Sequence, residues 1–279
     1  MTKRALFVHA HPDDETINNG ATMAQMIEEG VAVTLVTCTR GEEGEVLVPE
    51  LAHLASSAED KLGIHRITEL AKAMKELGVK DHRFLGEYRD SGMMGTPQNE
   101  HPNCFWRADV ELAAKELAAI IDEVKPQVMV TYDENGGYGH PDHIQTHRVA
   151  MRAAEIATWQ ICKIYWNIMP KSVVQKGMDA MKEQGSDFFG AESVDDLPFV
   201  KDDSFVSAVI HAPNQVEKKM AAMKAHATQI SLEGPFFALS NNLGVQVFGD
   251  EYYTLVKGEK AAVASTDNLE QDLFAGIEI

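Results

Sequence analysis

"ALFVHAHPDDE", residues 5–15, runs from a short apolar stretch straight into a proline and three consecutive acids. A run of that length reads as a buried strand. Pro followed by acids reads as the first turn of a helix, because Pro is pre-set for helical φ and acids suit the positive helix end. Downstream, Ala21, Ala24 and Ile27 recur at helical spacing before Gly30, a helix stop, and "VAVTLVTCT" at 31–39 reads as a second buried strand. Strand, helix and strand in this order form a β-α-β unit with parallel strands and a right-handed crossover.

The alternation continues outward. Ile64, Ile67, Leu70, Ala71, Met74 and Leu77 predict a helix that stops at Gly78, followed by a short strand near 83–85. Residues 109–124 place Val110, Ala113, Ala114, Leu117, Ile120, Ile121 and Val124 on one helical face, and Lys125-Pro126 closes that helix before a strand at 127–132. A loop at 133–142, a helix at 143–157 and a strand at 163–168 follow. The expected fold class is α/β, a Rossmann-like, mostly parallel sheet with helices on both faces. Beyond residue 170 the periodicity weakens. "GSDFFGAESVDD" (185–196) leads to an alternating strand at 204–211, a helix carrying Val216, Met220 and Met223, and two strand-like runs at 244–257. The chain thus divides into a Rossmann-like core at 1–169 and a smaller α+β lobe at 170–279 that packs on it. The polar tail from Lys260 to Leu269 reads as partly disordered.

Composition narrows the function. At 279 residues, 44% hydrophobic and 24% charged, the chain is an ordinary globular one. It shows no bilayer-spanning stretch and no signal peptide, so no membrane partner and a cytoplasmic location are expected. A net charge of −18, without a Lys/Arg cluster, argues against nucleic acid. Cys38, Cys104 and Cys162 form no C-x-x-C pair, so any metal falls to His and carboxylate.

The His-Pro-Asp of 11–13 returns at 140–142 in "HPDH" (140–143), again after an apolar strand. One copy alone reads as a helix start. Two copies at the carboxyl ends of parallel strands read as two halves of one site, because ligands bind beyond those ends. A catalytic zinc commonly takes three His or carboxylate ligands and leaves a position for water. His11 and Asp14 from the first loop and His143 from the second fill that count. Asp13 is left over as a general base for water whose pKa the metal lowers to about 7, and His140 as oxyanion stabiliser or acid. Asp142 can orient an imidazole, and Tyr138, in the glycine-rich "GGYG", can swing its hydroxyl toward a substrate. His9, alternating along a strand, reads as packed or behind the ligands; His147 reads as behind them or at the surface; Cys38 reads as core. Arg66 reads as a helix-surface charge and Asp90, in "RDSG", as a turn residue.

At these residues the sequence resembles the LmbE-like (PIG-L) family of metal-dependent N-deacetylases, and within it the members of mycothiol biosynthesis. The likeness runs through "LFVHAHPDDE", "NGAT", "VTCTRGEEGEV", "HRITEL", "YRDSGMMGT" and "VTYDENGGYGHPDH" to "FFALSNN" and "DLFAG". It implies a zinc ion, one per subunit, with ferrous iron as the other metal in the cell, held by His11, Asp14 and His143. It implies Asp13 as base, His140 as transition-state stabiliser or acid, Tyr138 as a group polarising the acetyl carbonyl, and Arg66 and Asp90 as substrate contacts. The implied substrate is a small sugar-inositol bearing an acetamide, with amide cleavage of mycothiol S-conjugates as runner-up. Two other classes compete. A non-haem iron oxygenase shares the two-His, one-carboxylate triad, but has no role for both Asp13 and His140. A metal-dependent sugar-binding module leaves the second acid of "HPDDE" unexplained.

Overall fold

β1 (Arg4–His9), α1 (Asp14–Glu28) and β2 (Ala32–Thr37) form the expected β-α-β unit, the two strands parallel in register from Arg4 with Ala32 to His9 with Thr37. The computed structural model describes residues 2–183, 191–231, 249–262 and 267–278. α2 (Leu62–Leu77) ends at Gly78, whose φ of 82° supplies the left-handed cap, and β3 (Asp81–Phe84) joins β2. α3 (Val110–Val124) is capped by Asp109, which accepts from the Glu111 and Leu112 N–H groups, and stops at Lys125 before β4 (Val128–Thr131). A one-turn helix α4 (Gly136–Gly139), α5 (Pro141–Ile156) and β5 (Lys163–Pro170) complete the parallel part.

α6 (Lys171–Glu183), β6 (Val200–Lys201), β7 (Ala208–His211), α7 (Val216–Ala225) and β8 (Asp250–Lys257) follow. The sheet order is β3-β2-β1-β4-β5-β8-β7, with β6 paired to β5 outside that path. β8 and β7 are antiparallel. The expected division at 169/170 falls at the end of β5, and beyond it the described strands β8 and β7 extend the same sheet. "FFALSNN", "GSDFFG" and the first strand-like run near 244 lie outside the described residues.

Strand alternation sorts the core into two layers. Ala5, Phe7, Val33 and Leu35 meet Met23, Leu70 and Met74 on one face; Leu6, Val8 and Val36 meet Leu117, Ile121 and Val149 on the other. Burying either set stabilises by roughly 1.5–3 kcal/mol per large side chain.

One expectation changes. In the first half of α2 the buried face is Leu62, Arg66 and Glu69, while Ile64 is 66% exposed and Ile67 37%. That half of the helix borders a polar cleft, so charge takes the inward face. Part of the polar stretch 260–269 lies outside the described residues; just beyond it Glu270 is buried, bridges Ala208, and accepts from Lys163 Nζ at 2.6 Å and the Tyr165 hydroxyl at 2.7 Å. Leu273 and Phe274 then join the core. No helix among the described residues is long and apolar enough to cross a membrane.

Candidate metal centre

β1 and β4 are neighbours, yet the chain leaves β1 toward one sheet edge and β4 toward the other. Their carboxyl ends are thus the switch point of the sheet, where a crevice opens. "HPDDE" follows β1 and "HPDH" follows β4, so topology brings together residues 125 or more positions apart.

His11 Nδ1, Asp14 Oδ2 and His143 Nε2 form a nearly equilateral triangle. Its sides are 3.4 Å (His11 to Asp14), 3.3 Å (His143 to Asp14) and 3.3 Å (His143 to His11). Tetrahedral ligands at zinc bond lengths lie about 3.3 Å apart, so the triangle fits one face of such a site. Each ring is turned by its far nitrogen. His11 Nε2 meets Asp142 Oδ2 at 3.1 Å and His143 Nδ1 meets the Gly136 carbonyl at 3.2 Å, which aims the other nitrogen's lone pair into the triangle. His11–His140–His143 and His11–Asp90–Asp142 also bring donors within 4.8 Å. The second of these needs the His11 nitrogen already directed at Asp142, and neither includes Asp14.

The charges call for a cation. Burial opposes a charge on His11, but Asp90, Asp14 and Asp142 outweigh it and raise its pKa well above the usual value. Asp14 is held well below the carboxylate range despite burial, chiefly by His143 and His11. A metal ion would replace the protons that this cluster draws in.

Asp13 stands at the N-cap of α1 but does not cap it: its side chain accepts nothing from the helix, and its φ is 114°. A non-glycine residue there carries backbone strain of order 1–3 kcal/mol. The carboxylate instead faces the cleft beside the triangle, 3.1 Å from Arg66 Nη2. Burial pushes its pKa up to about 6 against the pull of Arg66. Arg66 is buried, not a surface charge, and donates to the Gly41 carbonyl at 2.8 Å and to the Pro12 carbonyl. Much of its fork therefore holds the loop that presents Asp13.

His140 does cap its helix: its Nδ1 accepts the Asp142 N–H at 3.1 Å. That leaves the proton on Nε2, which looks into the cleft 4.0 Å from Asp90 Oδ1. Burial, with His11 and His143 nearby, lowers its pKa to about 3, so the ring is a neutral N–H donor. Asp142 accepts from Ser91 N–H and hydroxyl as well as from His11. Asp90 accepts from Gly92 N–H at 2.8 Å and Glu43 N–H at 3.2 Å and lines the cleft. The Tyr138 ring lies 4.9 Å from that of His143 and is 41% exposed. Gly136, at φ 61°, has no room for a side chain, since a Cβ would stand 2.5 Å from that of His143.

Sequence reasoning placed His9 correctly as packed, with Asn19 Nδ2 at 2.9 Å and the Tyr132 hydroxyl at 3.1 Å on its two nitrogens. His147 sits behind the site on the Tyr132 carbonyl, and Cys38 is core, its thiol pushed up to about 12 by burial. Tyr132 itself was missed; its ring stacks on His143 at 4.4 Å. So was Glu15, which accepts the Asp13 N–H at 2.9 Å and pairs with buried His226 at 3.0 Å. The last residue of an apolar strand signals Tyr132 only by position, and nothing local signals His226.

The centre opens into a cleft of about 1130 Å³, walled also by Asn18, Glu43, Met169, Phe199, Lys219 and Tyr252. Residues 6–154 match the PIG-L family, described as GlcNAc-PI de-N-acetylase. A 1D-myo-inositol 2-acetamido-2-deoxy-alpha-D-glucopyranoside deacetylase of Geodermatophilus obscurus is 56% identical, covering 99% of this chain and 98% of its own. In fold, the chain is similar to an N,N'-diacetylchitobiose deacetylase from Pyrococcus horikoshii (TM-score 0.59, 21% identity, 92% of this chain and 84% of that one). It is also similar to a 4-carboxy-2-hydroxymuconate hydratase from Pseudomonas putida (TM-score 0.62, 19% identity, 95% and 100%). The fold thus serves more than one reaction, and the sequence match carries the assignment: the chain belongs to the PIG-L family of de-N-acetylases.

Proposed function

We propose that this protein hydrolyses the acetamide of 1D-myo-inositol 2-acetamido-2-deoxy-alpha-D-glucopyranoside in the cytoplasm, releasing acetate and the free amine for mycothiol biosynthesis. The observation that carries the reaction is the His11–Asp14–His143 triangle with an uncapped Asp13 beside it. The substrate comes from the full-length likeness to deacetylases of that name. Zinc is the proposed metal, held by those three residues; when bound it polarises the acetyl carbonyl and lowers the pKa of water.

The chain's own groups supply the rest. Asp13 takes the proton of the attacking water at its carboxylate and returns it to the amine nitrogen as the C–N bond breaks. The His140 Nε2–H and the Tyr138 hydroxyl donate to the carbonyl oxygen as it gains charge, a contribution of about 2.7–4 kcal/mol per well-placed donor. Asp142 fixes the His11 ring. Asp90 and Arg66 form the wall that meets sugar hydroxyls, and the segment from 170 onward supplies the far side of the pocket.

The test is turnover of the zinc-reconstituted protein on three amides in parallel: acetylglucosaminyl-inositol, N-acetylglucosamine and a mycothiol S-conjugate. The first should have the highest kcat/KM, and Asp90→Ala should narrow its lead over N-acetylglucosamine. Equal efficiency on the two sugars would indicate a general deacetylase. Preference for the conjugate would indicate the amidase.

A further inference from the structure

The turn that carries Tyr138 contains glycines at 136, 137 and 139, all at positive φ, so its own backbone does little to fix it. It is fixed from outside. Asp133 Oδ1 accepts the N–H groups of Asn135 at 3.1 Å and Gly137 at 2.8 Å, and the Asp133 carbonyl accepts that of Gly136 at 2.9 Å. Asp133 Oδ2 meets Lys201 Nζ at 2.6 Å. Lys201 lies on β6, beside Pro170 at the end of β5. Asp133 is buried, and a buried carboxylate needs a partner; Lys201 is the cation that answers it.

We propose that Asp133 and Lys201 are a positioning pair for catalysis, through which the C-terminal segment sets the Tyr138 turn. The pair governs two outputs at once. One is the place of the Tyr138 ring over the centre. The other is the Gly136 carbonyl, which orients His143 through its Nδ1. The inference rests on the reading that Tyr138 acts on the acetyl carbonyl. A purely structural ion pair would cost stability wherever it was cut; a positioning pair costs turnover through Tyr138.

The experiment is a double-mutant cycle of Lys201→Ala and Tyr138→Phe in the zinc-loaded protein, with Lys201→Arg and Asp133→Asn alongside and metal content measured throughout. Lys201→Ala should lower kcat roughly 10- to 100-fold with little change in KM, the scale of a small misplacement of a reacting group. It should cost clearly less once Tyr138 is Phe, the remainder being the share that runs through the Gly136 carbonyl and His143 and that shows as reduced metal content, and Lys201→Arg should restore most of the loss. Hydrogen–deuterium exchange should be faster across 134–139 in Lys201→Ala and in Asp133→Asn. Equal losses in both Tyr138 backgrounds, or unchanged exchange, would overturn the inference. Faster exchange in a protein whose wild type is inert toward acetylglucosaminyl-inositol would leave the pair standing as the anchor of the turn and would remove the proposed substrate instead.

Discussion

The two His-Pro-Asp loops begin with the same three residues and divide the work in opposite ways. In the second loop the histidine caps its helix through Nδ1 and the aspartate turns inward to hold a ring from the other loop. In the first loop the histidine faces the triangle, and its aspartate sits at the cap position without capping, in a strained backbone. Each loop supplies what the other lacks: Asp142 steadies His11, while His11 and Asp14 complete the triangle with His143. The motif therefore fixes a strand-to-helix corner; what each residue does there depends on which side of the corner faces the partner loop.

That asymmetry can be broken at four depths. The largest effect should come from the triangle itself: Asp14→Ala and His143→Ala should each lose bound zinc by elemental analysis and lose turnover with it, whereas the surface control Lys218→Ala should keep both. Next, Asp13→Ala should keep its metal and lose about 10²–10⁴ in kcat, the usual range for general acid–base catalysis; an active variant would remove the distinction between the two aspartates. Third, Asp142→Asn should weaken zinc affinity about 10- to 100-fold in a competition titration, because His11 loses the carboxylate that orients it. The smallest effect is on stability. His140→Ala should cost about 1 kcal/mol for a lost cap, while Asp13→Gly should melt higher than Asp13→Ala, glycine alone accepting that φ without strain. Equal melting of the last two would mean that the corner relaxes when the carboxylate is removed.

Apolar runs and helix stops along 5–170 made the parallel sheet readable, because its inner strands β1, β2 and β4 are almost wholly buried and helices α2 and α3 end on left-handed residues, Gly78 and Lys125. The triangle was readable for the same reason, since strand ends in a parallel sheet share one edge. What stayed hidden depends on pairs far apart in sequence. Glu15 finds His226, Asp133 finds Lys201, and Lys163 finds Glu270, each across a distance that no local pattern encodes. Arg66 was misplaced on the helix surface because Ile64 and Ile67 mimic a core face; only the cleft beside α2 shows why the charged face turns inward.

The rims of the sheet have a consequence for how copies of this chain meet one another. Its eight-residue strands, β5 and β8, lie inside the order, and the rim strands β3 and β7 have four residues each. On β3, Asp81 and Arg83 are locked into ion pairs that extend to Glu123, and on β7, Ala208 is already bridged by Glu270. The described residues offer a neighbouring molecule no long bare strand to copy, and a net charge of −18 holds it at a distance. Edge-to-edge stacking, the first step toward a fibril, has no template on either described rim.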